Sequence, residues 1–244
     1  MKDSVLIGTV AIGQPEWDFV QSLVSIRTPG TKAFQVVNGK QGIDEGHNRL
    51  NEAFLETDYE WLLSMDSDAV VHPDSLLRLM SWGKPYVSAV ATGRIPPFWP
   101  VVFNGERENG TFARDVDMMR DWVQRYPELM DVNSAACVLE PRPTDALWPI
   151  ERGGAHCLLT HRSVIEATGP DWFQRTGSRE KHGSGSDFYF TAKVRGAGFE
   201  TFVDRSVFSG HVVHGHVAGM LDFMVWDSVI NYESGGIEIP VKER

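Results

Sequence analysis

The most informative stretch of this chain is residues 61–68, Trp61-Leu62-Leu63-Ser64-Met65-Asp66-Ser67-Asp68. The apolar run has the length of a buried strand, and it delivers two carboxylates, one residue apart, at its end. Side chains alternate between the two faces of a strand, so Asp66 and Asp68 point the same way if the extension persists. Carboxylate oxygens are the ligands that Mg²⁺ and Mn²⁺ favour, which predicts a site for a hard divalent cation. The competing interpretation is a turn in which the aspartates shape a loop or cap a helix.

Strand and helix patterns alternate around this segment. The predicted order is strand 5–12, helix 16–26, strand 33–37, helix 44–55, the strand before Asp66, helix 76–80 and strand 86–91. The alternation predicts an α/β fold with a mixed, mainly parallel central sheet and helices on both faces. Ligands of such sheets bind beyond the carboxyl ends of the strands, where Asp66 and Asp68 lie, and this favours a functional role for the pair.

The second half of the chain is less regular. Residues 104–149 show little period and predict a loop-rich region that faces a second substrate. Gly153-Gly154 then leads into a short strand. Glycine lets backbone approach a ligand closely, although a simple bulge or turn is an equal alternative.

Two later segments carry side chains suited to chemistry. Gly183-Ser184-Gly185-Ser186 runs into Asp187 at the start of a predicted helix, where the carboxylate is either a general base or an N-cap. A strand at 200–203 and a turn at 204–206 then precede His211, His214 and His216. Neutral imidazoles are ligands for Mn²⁺ or Zn²⁺, but the spacing does not fix which of the three histidines binds.

Bulk properties restrict the class of protein. The length of 244 residues suits one domain with a large core, and the net charge of -10 argues against a nucleic-acid partner. Cys137 and Cys157 are not closely spaced, which favours a reducing compartment and leaves one disulfide open. The apolar stretch at the start is too short for a membrane span or a signal peptide, so we expect a cytoplasmic protein without a transmembrane segment.

Seven segments follow one another in a recognisable order: 44–51, the strand with Asp66-Ser67-Asp68, 84–97, 153–159, Asp171-Trp172-Phe173, 186–190 and Ser209-Gly210-His211. In this order and spacing the chain resembles the metal-dependent glycosyltransferases of the GT-A fold, in particular inverting, family-two-like enzymes, over most of residues 4–216. The resemblance implies a single Rossmann-like GT-A domain over residues 1–244. Residues 1–104 would bind the nucleotide-sugar, and residues 105–244 would bind the acceptor and carry catalysis.

The resemblance also implies an activity and a set of site residues. A sugar would move from a nucleotide-diphosphate-sugar, with UDP favoured over GDP, to a glycan, protein or small-molecule acceptor. Asp187 would be the general base of a single inverting displacement. Asp68 and His211 would bind Mn²⁺ or Mg²⁺, with Asp66 contacting the ribose or a metal-bound water. The residues placed against the nucleotide-sugar are Thr9, Asn38, Asn48, Arg49, Asp66, Ser67, Arg94, Gly153 and Gly154.

The chain departs from the family pattern at two positions. His47 stands where the family usually has Arg, which removes a basic contact or transfers it to Arg49, and Ser186 stands where Glu is frequent. Two other functions compete with transfer. One is a phosphatase of the haloacid dehalogenase type with Asp66 as nucleophile, and the other is a non-catalytic protein that binds a sugar or nucleotide.

Overall fold

The computed structural model of the protein describes residues 4–30, 32–106, 112–127, 136–175, 185–213 and 216–233. The strands are β1 (Val5–Ala11), β2 (Ala33–Asn38), β3 (Trp61–Asp66), β4 (Ala69–Val71), β5 (Tyr86–Ala91), β6 (Val102–Glu106), β7 (Phe112–Arg114), β8 (Leu147–Pro149), β9 (Arg152–Gly153), β10 (Cys157–His161), β11 (Phe202–Val213) and β12 (His216–Ala218). The helices are α1 (Trp17–Ser25), α2 (Ile43–Leu55), α3 (Ser75–Met80), α4 (Val116–Arg125), α5 (Arg162–Thr168), α6 (Ser186–Gly196) and α7 (Met220–Glu233).

The central sheet is mixed and mainly parallel along its main path, as predicted. Its strands lie in the order β12-β11-β5-β10-β3-β1-β2, with β4 and β8 also paired to β11. β1 is parallel to β2 and β3, and β5 is parallel to β11, whereas β10 runs antiparallel between β3 and β5. The amino end of β10 therefore lies at the same edge as the carboxyl ends of β3 and β5, which is the edge where ligands of such sheets bind.

Helices cover both faces of the sheet, as predicted. Along β1, Val5 and Ile7 pack in one core cluster and Leu6 and Val10 pack in another, because successive side chains alternate between faces. α1 and α3 pack on the first face and α2, α5 and α6 on the second. The helix residues buried against the sheet are Phe19, Leu76 and Leu79 on one face, and Leu50, Phe54, Ile165 and Phe190 on the other.

The prediction of a loop-rich region over residues 104–149 is wrong for much of its described part. β6 pairs with β7 and β9 in a small second sheet, and α4 follows with Asp115 as its N-cap, whose side chain accepts a hydrogen bond from Met118 N. α4 is amphipathic, and Met119, Trp122 and Val123 lie buried in the core. Its charged residues mask this pattern in the sequence, because the apolar positions occupy only one stripe of a ten-residue helix.

The turn predicted at residues 204–206 is a bulge inside one long strand. β11 continues from Phe202 to Val213, and its pairing with β5 shifts register between Asp204 and Phe208. The Asp204 carboxylate accepts hydrogen bonds from the Ser206 backbone N–H at 2.8 Å and from its hydroxyl at 2.6 Å, which satisfies both donors of Ser206 within the bulge. The continuous strand carries His211 past the end of β5.

None of the helices in the described ranges is long and apolar enough to cross a membrane. Cys157 is a free thiol, so the Cys137–Cys157 disulfide left open by the sequence does not form. The Cys157 thiol is buried, and burial raises its pKa to about 12.

Candidate active site

The end of β3 separates the two aspartates instead of aligning them. The strand ends at Asp66, and Ser67 and Asp68 form a turn before β4, so the extension that would give both carboxylates one direction does not continue to Asp68. Asp66 Oδ1 lies 3.6 Å from His47 Nε2. Asp68 instead has its Oδ1 3.7 Å from His156 Nε2 and its Oδ2 in contact with the Arg94 guanidinium. Each carboxylate thus has its own set of partners.

Asp68, His156 and His211 form what we call the Asp-His-His cluster. Each residue offers one ligand atom, and these atoms lie within 4.8 Å of one another. The imidazole rings of His156 and His211 have centroids 3.6 Å apart. All three side chains are buried. One carboxylate and two imidazoles at this spacing are a ligand set for a divalent cation.

Strand pairing brings the three ligands together. His156 directly precedes β10, whose amino end meets the carboxyl end of β3, and its carbonyl accepts a hydrogen bond from Asp66 N at 3.0 Å. His211 lies in β11, where the next residue, Val212, donates its N–H to the Asp68 carbonyl at 2.8 Å. Backbone hydrogen bonds therefore fix the positions of both histidines relative to the Asp68 turn.

Each of the two imidazoles makes a hydrogen bond, and each also has a ring nitrogen without a hydrogen-bond partner among the described residues. His156 Nδ1 is hydrogen-bonded to Ser209 Oγ at 2.8 Å, and His211 is hydrogen-bonded to the Thr92 backbone. His156 Nε2 and His211 Nδ1 are buried without a hydrogen-bond partner among the described residues. Buried polar atoms are normally paired, and metal-ligating histidines use their second nitrogen to fix the ring. These residues therefore fit a metal ion.

Both imidazoles of the cluster are held in the neutral form. Burial lowers the pKa of His156 to about 4, and burial together with the neighbouring His156 lowers the pKa of His211. A neutral imidazole has the free lone pair that a metal ligand needs. Protons therefore do not compete with a cation for these two imidazoles at neutral pH.

A second group, His47, Asp66 and Asp187, lies beside the first, and we call it the His-Asp-Asp cluster. His47 is buried and stacks on Phe173, with ring centroids 4.6 Å apart. Burial works to lower the pKa of His47, but the interaction with Asp66 and the charge of Asp187 raise it above its ordinary value. Burial works to raise the pKa of Asp66, and the interaction with His47 outweighs it and holds that pKa well below its usual range. His47 and Asp66 therefore form an ion pair.

Asp187 lies in the first turn of α6 and does not cap it. The N-cap of this helix is Gly185, and no side-chain cap hydrogen bond forms there. Instead the Asp187 carboxylate accepts a hydrogen bond at Oδ2 from Ala155 N at 3.2 Å, across the site. Burial and the charge of Asp66 raise the pKa of Asp187. Gly183 and Ser184, which precede this helix, lie outside the described residues.

The glycine pair packs closely next to this carboxylate. A Cβ at Gly153 would meet Ile150 Cδ1 at 2.6 Å, and one at Gly154 would meet Val101 Cγ1 at 3.1 Å and Asp187 Oδ2 at 3.9 Å. A side chain at either position would therefore have to displace Ile150 or Val101, so the backbone packs closely against its neighbours here.

Four of the polar residues predicted to contact the nucleotide lie on β1, β2 and α2. Thr9 is buried in β1, and the side chain of Asn38 accepts a hydrogen bond from Lys40 N at 2.9 Å. Asn48 binds the Phe173 backbone through both groups of its amide, at 3.0 and 2.8 Å. Arg49 pairs with Glu45 at 2.9 Å on the exposed side of α2.

Two cavities flank this end of the sheet. The larger, of about 700 Å³, has Asn48 and Phe173 in its wall, and its other lining residues are Ile12, Gln41, Gly42, Ile43, Asp44, Glu45, Asp171, Gln174 and Arg175. The smaller, of about 450 Å³, has Asn38 in its wall, and its other lining residues are Ala11, Gly13, Gln14, Val36, Val37 and Lys40. Space for a ligand therefore exists on both sides of β1.

The sequence left three histidines open as ligands, and the structure separates two of them. His211 belongs to the Asp-His-His cluster, whereas His216 is 62 % exposed and pairs with Asp222 at 2.8 Å. His214 lies outside the described residues. The sequence analysis did not assign His156 as a ligand. Its signal was a histidine placed directly before a strand, and only the antiparallel direction of that strand brings it to the site.

Comparison with known proteins identifies the fold. No family model matches the sequence, and no curated protein matches it. The crystal structure of A197 from STIV is similar with a TM-score of 0.55 and 13 % identity, over 87 % of each chain. The crystal structure of GalNAc-T7 with UDP, GalNAc and Mn²⁺ is similar with a TM-score of 0.56 and 10 % identity, over 94 % of this chain. The chain spans 49 % of the length of GalNAc-T7.

This chain has the GT-A fold. It is structurally similar to GT-A glycosyltransferases and carries an Asp-His-His cluster with the composition of a metal site. Identities of 10 and 13 % establish the fold and no more than the fold. What the site does must therefore be argued from its own residues.

Proposed function

We propose that the protein is a metal-dependent glycosyltransferase that moves a sugar from a nucleotide-diphosphate-sugar to an acceptor hydroxyl. The observation that carries this proposal is the convergence of Asp68, His156 and His211 at the ligand-binding edge of a GT-A sheet. The donor is proposed to be a UDP-sugar, with a GDP-sugar as the alternative, and the acceptor a glycan, a protein or a small molecule.

The Asp-His-His cluster would hold the metal ion. Two imidazoles and one carboxylate suit Mn²⁺ better than Mg²⁺, which prefers an all-oxygen shell. When bound, the cation would neutralise the charge of the leaving diphosphate as a Lewis acid. Ser209 would hold the ring of His156 through Nδ1 so that Nε2 faces the ion.

Asp187 would act as the general base. Ala155 N occupies its Oδ2, which leaves Oδ1 to receive the proton of the acceptor hydroxyl. Its raised pKa brings the carboxylate closer to the proton affinity that base catalysis near neutral pH requires. Attack from the side opposite the diphosphate in a single displacement would invert the anomeric configuration.

The proposed roles divide between the two halves of the domain. Residues 1–104 would bind the nucleotide-sugar through Thr9, Asn38, Asn48, Arg49, Asp66, Ser67 and Arg94. Residues 105–244 would supply Asp187, His156 and His211 and bind the acceptor. The cavity next to Asn38 lies at the carboxyl ends of β1 and β2, which supports placing the nucleobase of the donor there.

Two features weigh against a phosphatase with Asp66 as nucleophile. Asp66 is engaged by His47 at 3.6 Å, and the candidate metal ligands belong to Asp68 and two histidines. We further propose a reducing compartment, the cytoplasm, because Cys157 is a free thiol and no disulfide joins it to Cys137, the other cysteine of the sequence.

A thermal-shift titration with a panel of UDP-sugars and GDP-sugars, with and without Mn²⁺, tests the proposal. A ligand that binds only the folded state raises the melting temperature, so one nucleotide-sugar should raise it in the presence of Mn²⁺. The matched control is the Asp68→Asn variant, in which the Mn²⁺-dependent part of the shift should disappear. A panel that gives no Mn²⁺-dependent shift at millimolar ligand would contradict the donor assignment.

A further inference from the structure

Arg94 is a cation held against one of the candidate metal ligands. It lies shortly after β5, and its guanidinium contacts Oδ2 of Asp68. The Arg94 side chain is 63 % exposed, whereas that of Asp68 is 12 % exposed. Arg94 belongs to the loop of residues 93–99. The two ends of this loop are joined, because Gly93 N donates to the Trp99 carbonyl at 2.9 Å and Thr92 pairs with Pro100. Rotation of the side chain is therefore the simplest way to move the guanidinium away from Asp68.

The two oxygens of Asp68 serve two different partners. Oδ1 faces His156 Nε2 within the Asp-His-His cluster, and Oδ2 faces Arg94. A divalent cation on this cluster and the guanidinium would share the charge of a single carboxylate, and they would repel each other.

We propose that Arg94 couples metal binding to donor binding by competing with the divalent cation for Asp68 and turning to the diphosphate of the donor. This inference rests on the proposed function. A planar guanidinium binds phosphate oxygens with two parallel hydrogen bonds, so a diphosphate offers Arg94 a partner as good as the carboxylate. The cation alone then binds weakly, and the cation with a nucleoside diphosphate binds tightly. Thermodynamic linkage requires that the cation strengthens nucleoside diphosphate binding by the same factor by which the nucleoside diphosphate strengthens cation binding.

The first experiment measures Mn²⁺ binding without nucleotide, from the electron paramagnetic resonance signal of free Mn²⁺. Arg94→Gln should bind Mn²⁺ about tenfold more tightly than the wild-type protein, within the range typical of coupled sites. Arg94→Lys keeps the charge and should stay close to wild type. Arg27→Gln is the matched control, because Arg27 is also exposed and pairs with an aspartate, Asp74, outside the site.

The second experiment repeats the titration with UDP and, separately, with GDP, corrected for Mn²⁺ held by free nucleotide. One of them should tighten Mn²⁺ binding to the wild-type protein about tenfold and have little effect on Arg94→Gln. Equal Mn²⁺ affinity of wild type and Arg94→Gln, or equal nucleotide effects on both, would overturn the role of Arg94 and leave the metal site intact. A wild-type protein that binds no Mn²⁺, or binds it no better than His211→Ala does, would overturn the proposed function itself.

Discussion

The Asp-His-His cluster and the neighbouring His-Asp-Asp cluster are built from the same two residue types, but the pKa values of their histidines shift in opposite directions. His156 and His47 are both buried, yet the pKa of His156 is lowered to about 4 and that of His47 is raised. The difference lies in the neighbours. Burial lowers the pKa of His156, the charge of Arg94 adds to this and that of Asp66 only partly opposes it, whereas the interactions of His47 with Asp66 and Asp187 outweigh its burial.

This comparison shows how one strand end separates two kinds of chemistry. The turn at Asp66-Ser67-Asp68 sends one carboxylate to each cluster. On one side the imidazoles stay neutral and are free to bind a cation. On the other side a charged histidine balances two carboxylates, and one of these, Asp187, keeps a high proton affinity. Metal binding and proton transfer are thus separable by mutation.

The sharpest separation is expected from Asp187→Asn. Loss of a general base typically lowers the rate about 10²–10⁴-fold, so sugar transfer should fall by that factor. Mn²⁺ binding should remain at the wild-type level, because Asp187 is not part of the Asp-His-His cluster. The measurements are nucleoside diphosphate release with acceptor present and a Mn²⁺ titration. Asp58→Asn, an exposed aspartate, is the control, and parallel loss of Mn²⁺ binding in Asp187→Asn would contradict the division.

The reverse separation is expected from His211→Ala. Loss of a residue that only orients a metal ligand costs about 10–100-fold in metal affinity. Removing one of the three protein ligands themselves should therefore weaken Mn²⁺ binding by about 100-fold. His216→Ala is the matched control from the neighbouring strand, and it should bind Mn²⁺ as the wild type does because His216 is exposed and pairs with Asp222. Equilibrium dialysis against Mn²⁺ checks both variants. A larger loss in His216→Ala would move the site to the other histidine.

A smaller effect on the same cluster is expected from Ser209→Ala. The serine hydroxyl holds His156 Nδ1 at 2.8 Å, and removal of such a partner costs about 10-fold in metal affinity. Ser228→Ala removes a hydroxyl that bonds the Met224 carbonyl within α7, so it is a control without contact to the site. Mn²⁺ affinity of Ser209→Ala equal to that of this control would show that the imidazole is oriented by packing alone.

The regular part of the fold was predictable from the sequence because its pattern is local. β1, α1, β2, α2 and β3 follow directly from apolar periodicity. The helix α4 and the continuous strand β11 were not predicted, because charged residues crowd the first and turn residues interrupt the second. Asp204-Arg205-Ser206 has the composition of a turn, but pairing with β5 and β8 keeps it in the sheet as a bulge.

The site was predictable where one motif carries it and unpredictable where several strands meet. Asp68 and Asp187 were assigned from their own segments and His211 from the resemblance, and Asp68 and His211 lie together in the structure. His156 was not assigned, because its position depends on the antiparallel direction of β10, which no local pattern encodes. The expectation that Asp66 and Asp68 share a direction depended on a continued strand, and the strand ends at Asp66, directly before the turn that carries Asp68.

The smallest expected effect is on stability, and it tests the raised pKa of Asp187 in the metal-free protein. A raised pKa means that the folded state favours the protonated carboxyl, and this stabilisation is present below the unfolded value near 3.8 and is lost as pH rises through the folded value. Asparagine does not titrate, so Asp187→Asn should melt above the wild type at pH 7 by about 1–3 °C, on a scale where 1 kcal/mol is about 2–4 °C. The difference should shrink as the pH falls toward 4. Melting curves in EDTA across this range measure it, and a wild-type protein that is the more stable of the two at pH 7 would show that the Asp187 carboxylate stabilises the fold.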